Sequence, residues 1–295
     1  MQIALVIGGR SFKRERLPEL IQVARMADEL GIDYLSVAEH LVISAHPNLD
    51  NFPAGRFMHT PDESFPEPVT LFAAIGAATT RIKLLTGIVI APLRPAVFLA
   101  KQAATAHFLS GGRFVLGVST SWQEEEYDAL NVPYEERGQV LEDQLGAMRA
   151  LWGAAPASFH SKSANFDDMW MEPRPDDAEA IPIWLGGKCT PRLIRRVARY
   201  GQGWMPFGAY GESMDDIAGH IRELKQATEK AGRDPARLEV SYAGGFAQAF
   251  ERAPEMARAG ITVAQTILPG GLSSATDARP ALEDVARKFE PFRKL

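Results

Sequence analysis

Eight times along the chain, a short apolar run is followed by a longer stretch of helical periodicity. This alternation constrains the fold more than any other feature. Residues 3–7 form a continuous apolar run, as expected of a strand buried on both faces. Residues 17–30 follow, with Leu17, Leu20, Ile21, Ala24 and Ala27 at helical spacing and Gly31 placed to end the helix. Further strands are read at 34–37, 82–90, 114–118, 182–185, 203–206, 238–241 and 262–266. Helices are read at 69–78, 96–109, 138–151, 191–200, 213–231, 254–259 and 279–289, and 158–171 as a small hairpin excursion. Strict β–α alternation implies a parallel sheet. Eight units favour a closed (β/α)8 TIM barrel over an open doubly wound sheet. With no linker in the sequence, one domain covering residues 1–295 is expected, with a long loop after strand two.

Composition excludes several classes. At 46% apolar and 23% charged residues the chain has ample material for a core, so it is not a disordered protein. A net charge of −5 argues against nucleic acid or an anionic membrane as the main partner. The single cysteine, Cys189, excludes an intrachain disulfide, an all-cysteine zinc site and a cysteine-ligated iron–sulfur cluster, and no metal is expected. The apolar start lacks a basic leader, and no apolar run approaches the roughly 20 residues of a membrane helix, so a cytoplasmic protein is expected.

A barrel of this kind places its chemistry at the carboxyl ends of its strands. After strand two stand Glu39 and His40, and an imidazole there can shuttle a proton or donate a hydrogen bond. The loop at 41–68 is long and carries Phe52, Phe57, His59 and Phe65, which suits a substrate lid or, alternatively, an oligomer contact. After strand five, Gly186, Gly187 and Thr190 suit an anion held by backbone amides at a helix N-terminus, or only a tight turn with Thr190 as N-cap before Pro191. Cys189 inside that turn reads as a small packed residue, His107 as structural, and His220 as solvated. There is no His-x-His after strand one, no carboxylate at the end of strand seven, and no nucleophile elbow, Walker loop or dinucleotide fingerprint. A barrel with few strong acids or bases and a glycine-rich turn suggests that a cofactor carries the chemistry.

The run from Thr79-Thr80-Arg81-Ile82 through Thr86-Gly87-Ile88-Val89 to Pro92-Leu93-Arg94-Pro95 resembles the luciferase-like monooxygenase superfamily. So do Leu109-Ser110-Gly111-Gly112-Arg113-Phe114, followed by Trp122 and Glu126, and Trp184-Leu185-Gly186-Gly187 with Gly201-Gln202-Gly203-Trp204. Nearly the whole chain is covered, and the coenzyme F420-dependent branch is the most similar. The resemblance implies a barrel holding FMN or coenzyme F420 at its C-terminal mouth, a small organic substrate, and a homodimer. It places Glu39 and His40 beside the ring of the cofactor, and a non-prolyl cis peptide at Gly87–Ile88 or, in the neighbouring register, between Ile88 and Val89. It assigns Ser119, Thr120 and Ser121 to the ring and ribityl chain, and Gly186, Gly187 and Thr190 to the phosphate. The chain departs from many relatives in having Gly117-Val118-Ser119 where they have Gly-x-Gly. Lys188, Arg192, Arg195 and Arg196 are candidates for a polyanionic tail or simply a solvated helix face. Two other readings are a flavin-binding barrel without catalysis, and a cofactor-free lyase or isomerase whose turn holds a substrate phosphate.

Overall fold

The computed structural model describes residues 1–9, 11, 14–50, 63–206, 212–242, 250–272 and 274–295. The expected lid residues Phe52, Phe57 and His59 lie outside the described residues. The strands are β1 (Gln2–Ile7), β2 (Tyr34–Val37), β3 (Lys83–Thr86), β4 (Val89–Ile90), β5 (Phe114–Ser119), β6 (Ala157–His160), β7 (Asn165–Met169), β8 (Ile183–Gly186), β9 (Gly203–Met205), β10 (Glu239–Tyr242) and β11 (Val263–Ile267). The helices are α1 (Glu19–Glu29), α2 (Pro68–Ala78), α3 (Ala96–Leu109), α4 (Glu124–Ala129), α5 (Arg137–Trp152), α6 (Pro191–Tyr200), α7 (Met214–Lys230), α8 (Ala253–Ala259) and α9 (Ala275–Phe289).

Parallel pairing runs β3-β2-β1-β11-β10-β9-β8-β5, and β5 returns to β3, so the sheet closes into an eight-stranded TIM barrel. β6 and β7 form the expected hairpin outside it. Side chains alternate across the sheet with period two. Ile3, Leu5, Leu35, Leu84, Leu116 and Ile183 face the helices in the larger core. Ala4, Tyr34, Leu85, Val115, Trp184 and Met205 fill the barrel itself. The Trp184 and Tyr34 rings meet at 5.5 Å, and Lys83 reaches the Tyr34 hydroxyl at 3.1 Å. Gly203 makes room for this packing, because a Cβ there would lie 2.4 Å from the Trp184 ring.

The run at 82–90, read as one strand, is two. It breaks at Gly87–Ile88, whose peptide bond is cis. β3 pairs with β2 and the start of β5, whereas β4 pairs with the far end of β5, Val89 opposite Val118. The continuous apolar pattern hides the break because both pieces are buried. Glycine is required at the joint, since a Cβ on Gly87 would lie 2.2 Å from the Ser36 hydroxyl. A second difference is α4, which occupies residues read as plain loop. Three successive glutamates at its start suit the positive end of a helix dipole, a signal independent of apolar periodicity. Among the described residues no helix is long and apolar enough to cross a membrane.

Candidate active site

The residues after β2 separate at once into two environments. The Glu39 carboxylate is almost fully buried. It accepts hydrogen bonds from the Ile90 amide at 2.8 Å and from both terminal nitrogens of Arg94, one of them at 2.8 Å. Arg94 also reaches Glu67 at 3.1 Å, and Gln144 holds the backbone on either side through the carbonyls of Ala91 (2.9 Å) and Arg94 (2.5 Å). Burial pushes the Glu39 carboxyl above the ordinary range, and the Arg94 guanidinium and the Ile90 amide oppose that push. Glu39 therefore clamps the segment after the β3–β4 break to the end of β2.

His40 turns the other way. Its Nδ1 lies 3.0 Å from Glu126 Oε2, in α4, and the second oxygen of Glu126 accepts from the Leu41 amide at 2.8 Å. Glu126 has no exposed surface, so its carboxylate is fully committed to this segment. With a carboxylate accepting from Nδ1–H, the neutral ring carries its lone pair on Nε2. Phe65 and Trp122 pack edge-on against the imidazole at 5.2 and 5.9 Å, so Phe65, expected in a lid, stands beside His40. Glu39 and His40 thus form no side-by-side acid–imidazole pair: each has its own partner, Arg94 and Glu126. His40, aimed by a buried carboxylate, is equipped to give or take a proton.

The remaining expected residues ring the same end of the barrel. Ser119, Thr120 and Ser121 are half-buried. The Ser119 hydroxyl donates to the Gly186 carbonyl at 3.1 Å, which ties β5 to β8. Two buried tyrosines support the turn from below: Tyr127 donates to the Thr120 carbonyl and Tyr134 to that of Trp122 at 2.9 Å. Burial pushes both phenols above their ordinary range, so they stay protonated as donors. Ser121 adopts a left-handed backbone, φ 58°.

Gly187 has φ 133°, a conformation that favours glycine. Its amide donates to the Met205 carbonyl at 3.2 Å and its carbonyl accepts from the Trp204 indole at 3.0 Å, so the turn is stitched to β9. The Gly187 amide is therefore engaged within the protein. The next two amides, those of Lys188 and Cys189, donate to no protein acceptor among the described residues. Thr190 caps α6, its hydroxyl accepting from the Leu193 amide at 3.2 Å, with Pro191 in the first helical position.

Several side residues change status. Arg196 is not on a solvated face. It is buried, bonds Glu142 at 2.9 Å and caps the Gly138 carbonyl, pinning α6 to α5. His220 is half-buried against Trp204 and lies 3.2 Å from Glu212. His107 is held below its ordinary pKa by burial, in keeping with a structural role. Sequence reasoning missed the functions of Arg94 and Gln144. Arg94 stands in a quoted motif, between Leu93 and Pro95, but nothing local shows that its partner is Glu39.

Comparison with known proteins agrees with this geometry. The family model described as luciferase-like monooxygenase matches residues 3–268. An uncharacterized protein of Mycobacterium tuberculosis strain H37Rv is 30% identical over 274 residues, covering 90% of this chain and 92% of the relative. The crystal structure of monooxygenase RslO1 from Streptomyces bottropensis superposes with a TM-score of 0.78 at 20% identity, covering 99% of both chains. The coenzyme F420-dependent tetrahydromethanopterin reductase of Methanopyrus kandleri superposes with a TM-score of 0.72 at 13% identity, covering 98% of both chains. The barrel, its mouth and the match along nearly its whole length make this chain a member of the luciferase-like monooxygenase family.

Proposed function

We propose that this protein is a flavin- or deazaflavin-dependent oxidoreductase that acts on a small organic substrate at the barrel mouth. The observation that carries this reading is His40, held by the buried Glu126 at the rim that also bears Ser119, Ser121 and the Gly186–Gly187 turn. The residues fit FMN or coenzyme F420. Ile88 offers an apolar surface that is nearly but not wholly buried, for a planar ring. Ser119, Thr120 and Ser121 offer half-exposed polar atoms for its edge and side chain. The Lys188 and Cys189 amides, ahead of the α6 N-terminus, suit the phosphate better than the Gly187 amide, which is already used. The cofactor, when bound, supplies the electron pair that the side chains of this protein lack.

In this reading His40 holds or moves a proton at its Nε2, and Glu126 keeps the ring oriented and compensates the charge of the protonated form. Glu39 is a positioning residue that acts through Arg94 and the Ile90 amide on the segment that carries Ile88. Phe65, packed against His40, covers the substrate and excludes water. Likeness to a monooxygenase and to an F420-dependent reductase supports a cofactor of this class. The test is titration of the purified protein with FMN and with F420, each oxidised and reduced, followed by cofactor fluorescence. One of them is expected to bind well below millimolar. If neither binds more tightly than about 1 mM, an association worth only about 4 kcal/mol, the reading is wrong.

A further inference from the structure

Three metal-binding side chains from two elements converge behind the β8–α6 turn. Cys189 belongs to the turn, and His220 and Glu223 lie three residues apart on one face of α7. One donor atom of each, the thiol sulfur, a ring nitrogen and a carboxylate oxygen, lies within 4.8 Å of the other two. The orientation of the imidazole adds an independent observation. Its Nε2 is 3.2 Å from Glu212, a largely buried carboxylate, while Nδ1 faces Glu223 at 4.0 Å. A carboxylate accepting from Nε2–H leaves the lone pair on Nδ1, on the side of Glu223. That is the arrangement in which a second carboxylate orients a metal-bound histidine. The Trp204 ring, edge-on at 6.1 Å, further limits rotation of the imidazole.

We propose that Cys189, His220 and Glu223 bind a zinc ion that fastens the β8–α6 turn to α7, with Glu212 orienting His220. Sulfur, imidazole and carboxylate together match the donor preferences of zinc, and water completes a tetrahedron. Bonds of about 2.0–2.3 Å set tetrahedral donors about 3.5 Å apart. The cluster must therefore contract by about 1 Å; the exposed Glu223 carboxylate has room to approach the ion, and rotation of the Cys189 side chain supplies the rest. Binding forms the sulfur–zinc bond as the sulfur–hydrogen bond breaks, and the proton passes to solvent. Burial and the nearby Glu223 and Glu212 push the Cys189 thiol up to about 12, so in the metal-free protein it is a thiol and a poor nucleophile.

The test uses Co2+ as the probe, added to the full chain after treatment with a chelator. A thiolate-to-cobalt charge-transfer band and intense visible bands of tetrahedral cobalt are expected, saturating at one ion per chain at micromolar Co2+ and bleached by Zn2+. Cys189→Ser is expected to remove the charge-transfer band, Glu223→Gln to weaken binding at least tenfold, and Glu212→Gln to weaken it about 10–100-fold. Absence of the charge-transfer band, or unchanged affinity in Glu223→Gln, overturns the proposal. Glu223 is exposed, so its variant folds and keeps the test decisive even where Cys189→Ser does not.

Discussion

The two ends of the barrel are built from the same strands and do opposite things. At the amino ends Tyr34, Trp184, Lys83 and Gly203 interlock, and Gly203 has no room for another atom. At the carboxyl ends Ser119, Thr120, Ser121, Gly186 and Gly187 stay half-exposed, and His40 is held by one buried partner. Packing at the floor is self-sufficient. The mouth is supported from below by Tyr127, Tyr134, Glu39 and Arg94, and these leave its upper surface for a ligand. A barrel strand can thus contribute to stability at one end and chemistry at the other, provided the supports of the mouth are themselves buried.

Four substitutions probe this division. His40→Asn, whose side-chain amide can still donate to Glu126, is expected to lower turnover of a substrate used by the wild type by about 10²–10⁴, with little change in the thermal midpoint. A coincident loss of stability would place His40 among the supports. Arg94→Met leaves the Glu39 carboxylate buried without its partner and is expected to cost about 3–5 kcal/mol in urea unfolding at neutral pH. Glu39 has its pKa raised by burial in the folded protein, so it favours folding below its unfolded pKa near 4.3 and disfavours it above the folded value. The deficit of this variant should therefore shrink as the pH falls towards 4. A deficit independent of pH would make Arg94 a packing residue.

Gly203→Ala drives a methyl group into the Trp184 ring and is expected to cost about 1–3 kcal/mol while leaving cofactor affinity intact. Changed affinity would show that floor and mouth are coupled. The smallest effect is expected at Asp28, which accepts from the amides of Thr80, Arg81 and Ile82 at the entrance to β3. Burial opposes its ionisation, but these hydrogen bonds prevail and hold its carboxyl below the ordinary range. Its stabilisation is present above the unfolded pKa near 3.9 and lost as pH falls through the lower folded value. Asp28→Asn should cost about 1 kcal/mol at pH 7 and progressively less as the pH falls below the unfolded value, measured by denaturant unfolding.

Periodicity made the barrel legible, because each strand and helix carries its own local pattern. The β3–β4 break escaped periodicity, since a run buried on both sides reads the same whether or not it is interrupted. The resemblance, however, pointed to Gly87–Ile88, where the structure has the cis bond. In the candidate site, the location of His40 at the barrel mouth was legible from its place at a strand end. Its partner was not, because Glu126 lies 86 residues away and pairing across such a distance leaves no local trace. Glu39 and His40 are neighbours in sequence, and adjacency suggested a pair. After the strand, their side chains diverge into separate partnerships. Arg196 misled for a related reason: a basic helix face looks solvated until a neighbouring helix supplies Glu142.

α4 does more than aim one imidazole. Glu126 receives the Leu41 amide, Gln123 holds the Val42 carbonyl at 2.8 Å and the Ser44 amide at 3.2 Å, and Glu125 receives the Asn48 amide at 2.7 Å. On the returning side, Ser64 donates to the Gly9 carbonyl at 3.2 Å, and Glu67 bonds Arg94 and caps α2. Both flanks of residues 51–62 are therefore tied down, one to the helix that holds His40 and the other to the barrel and Arg94. Orientation of the imidazole and the course of the chain that follows it thus share one carboxylate, Glu126, so neither can be altered there without the other.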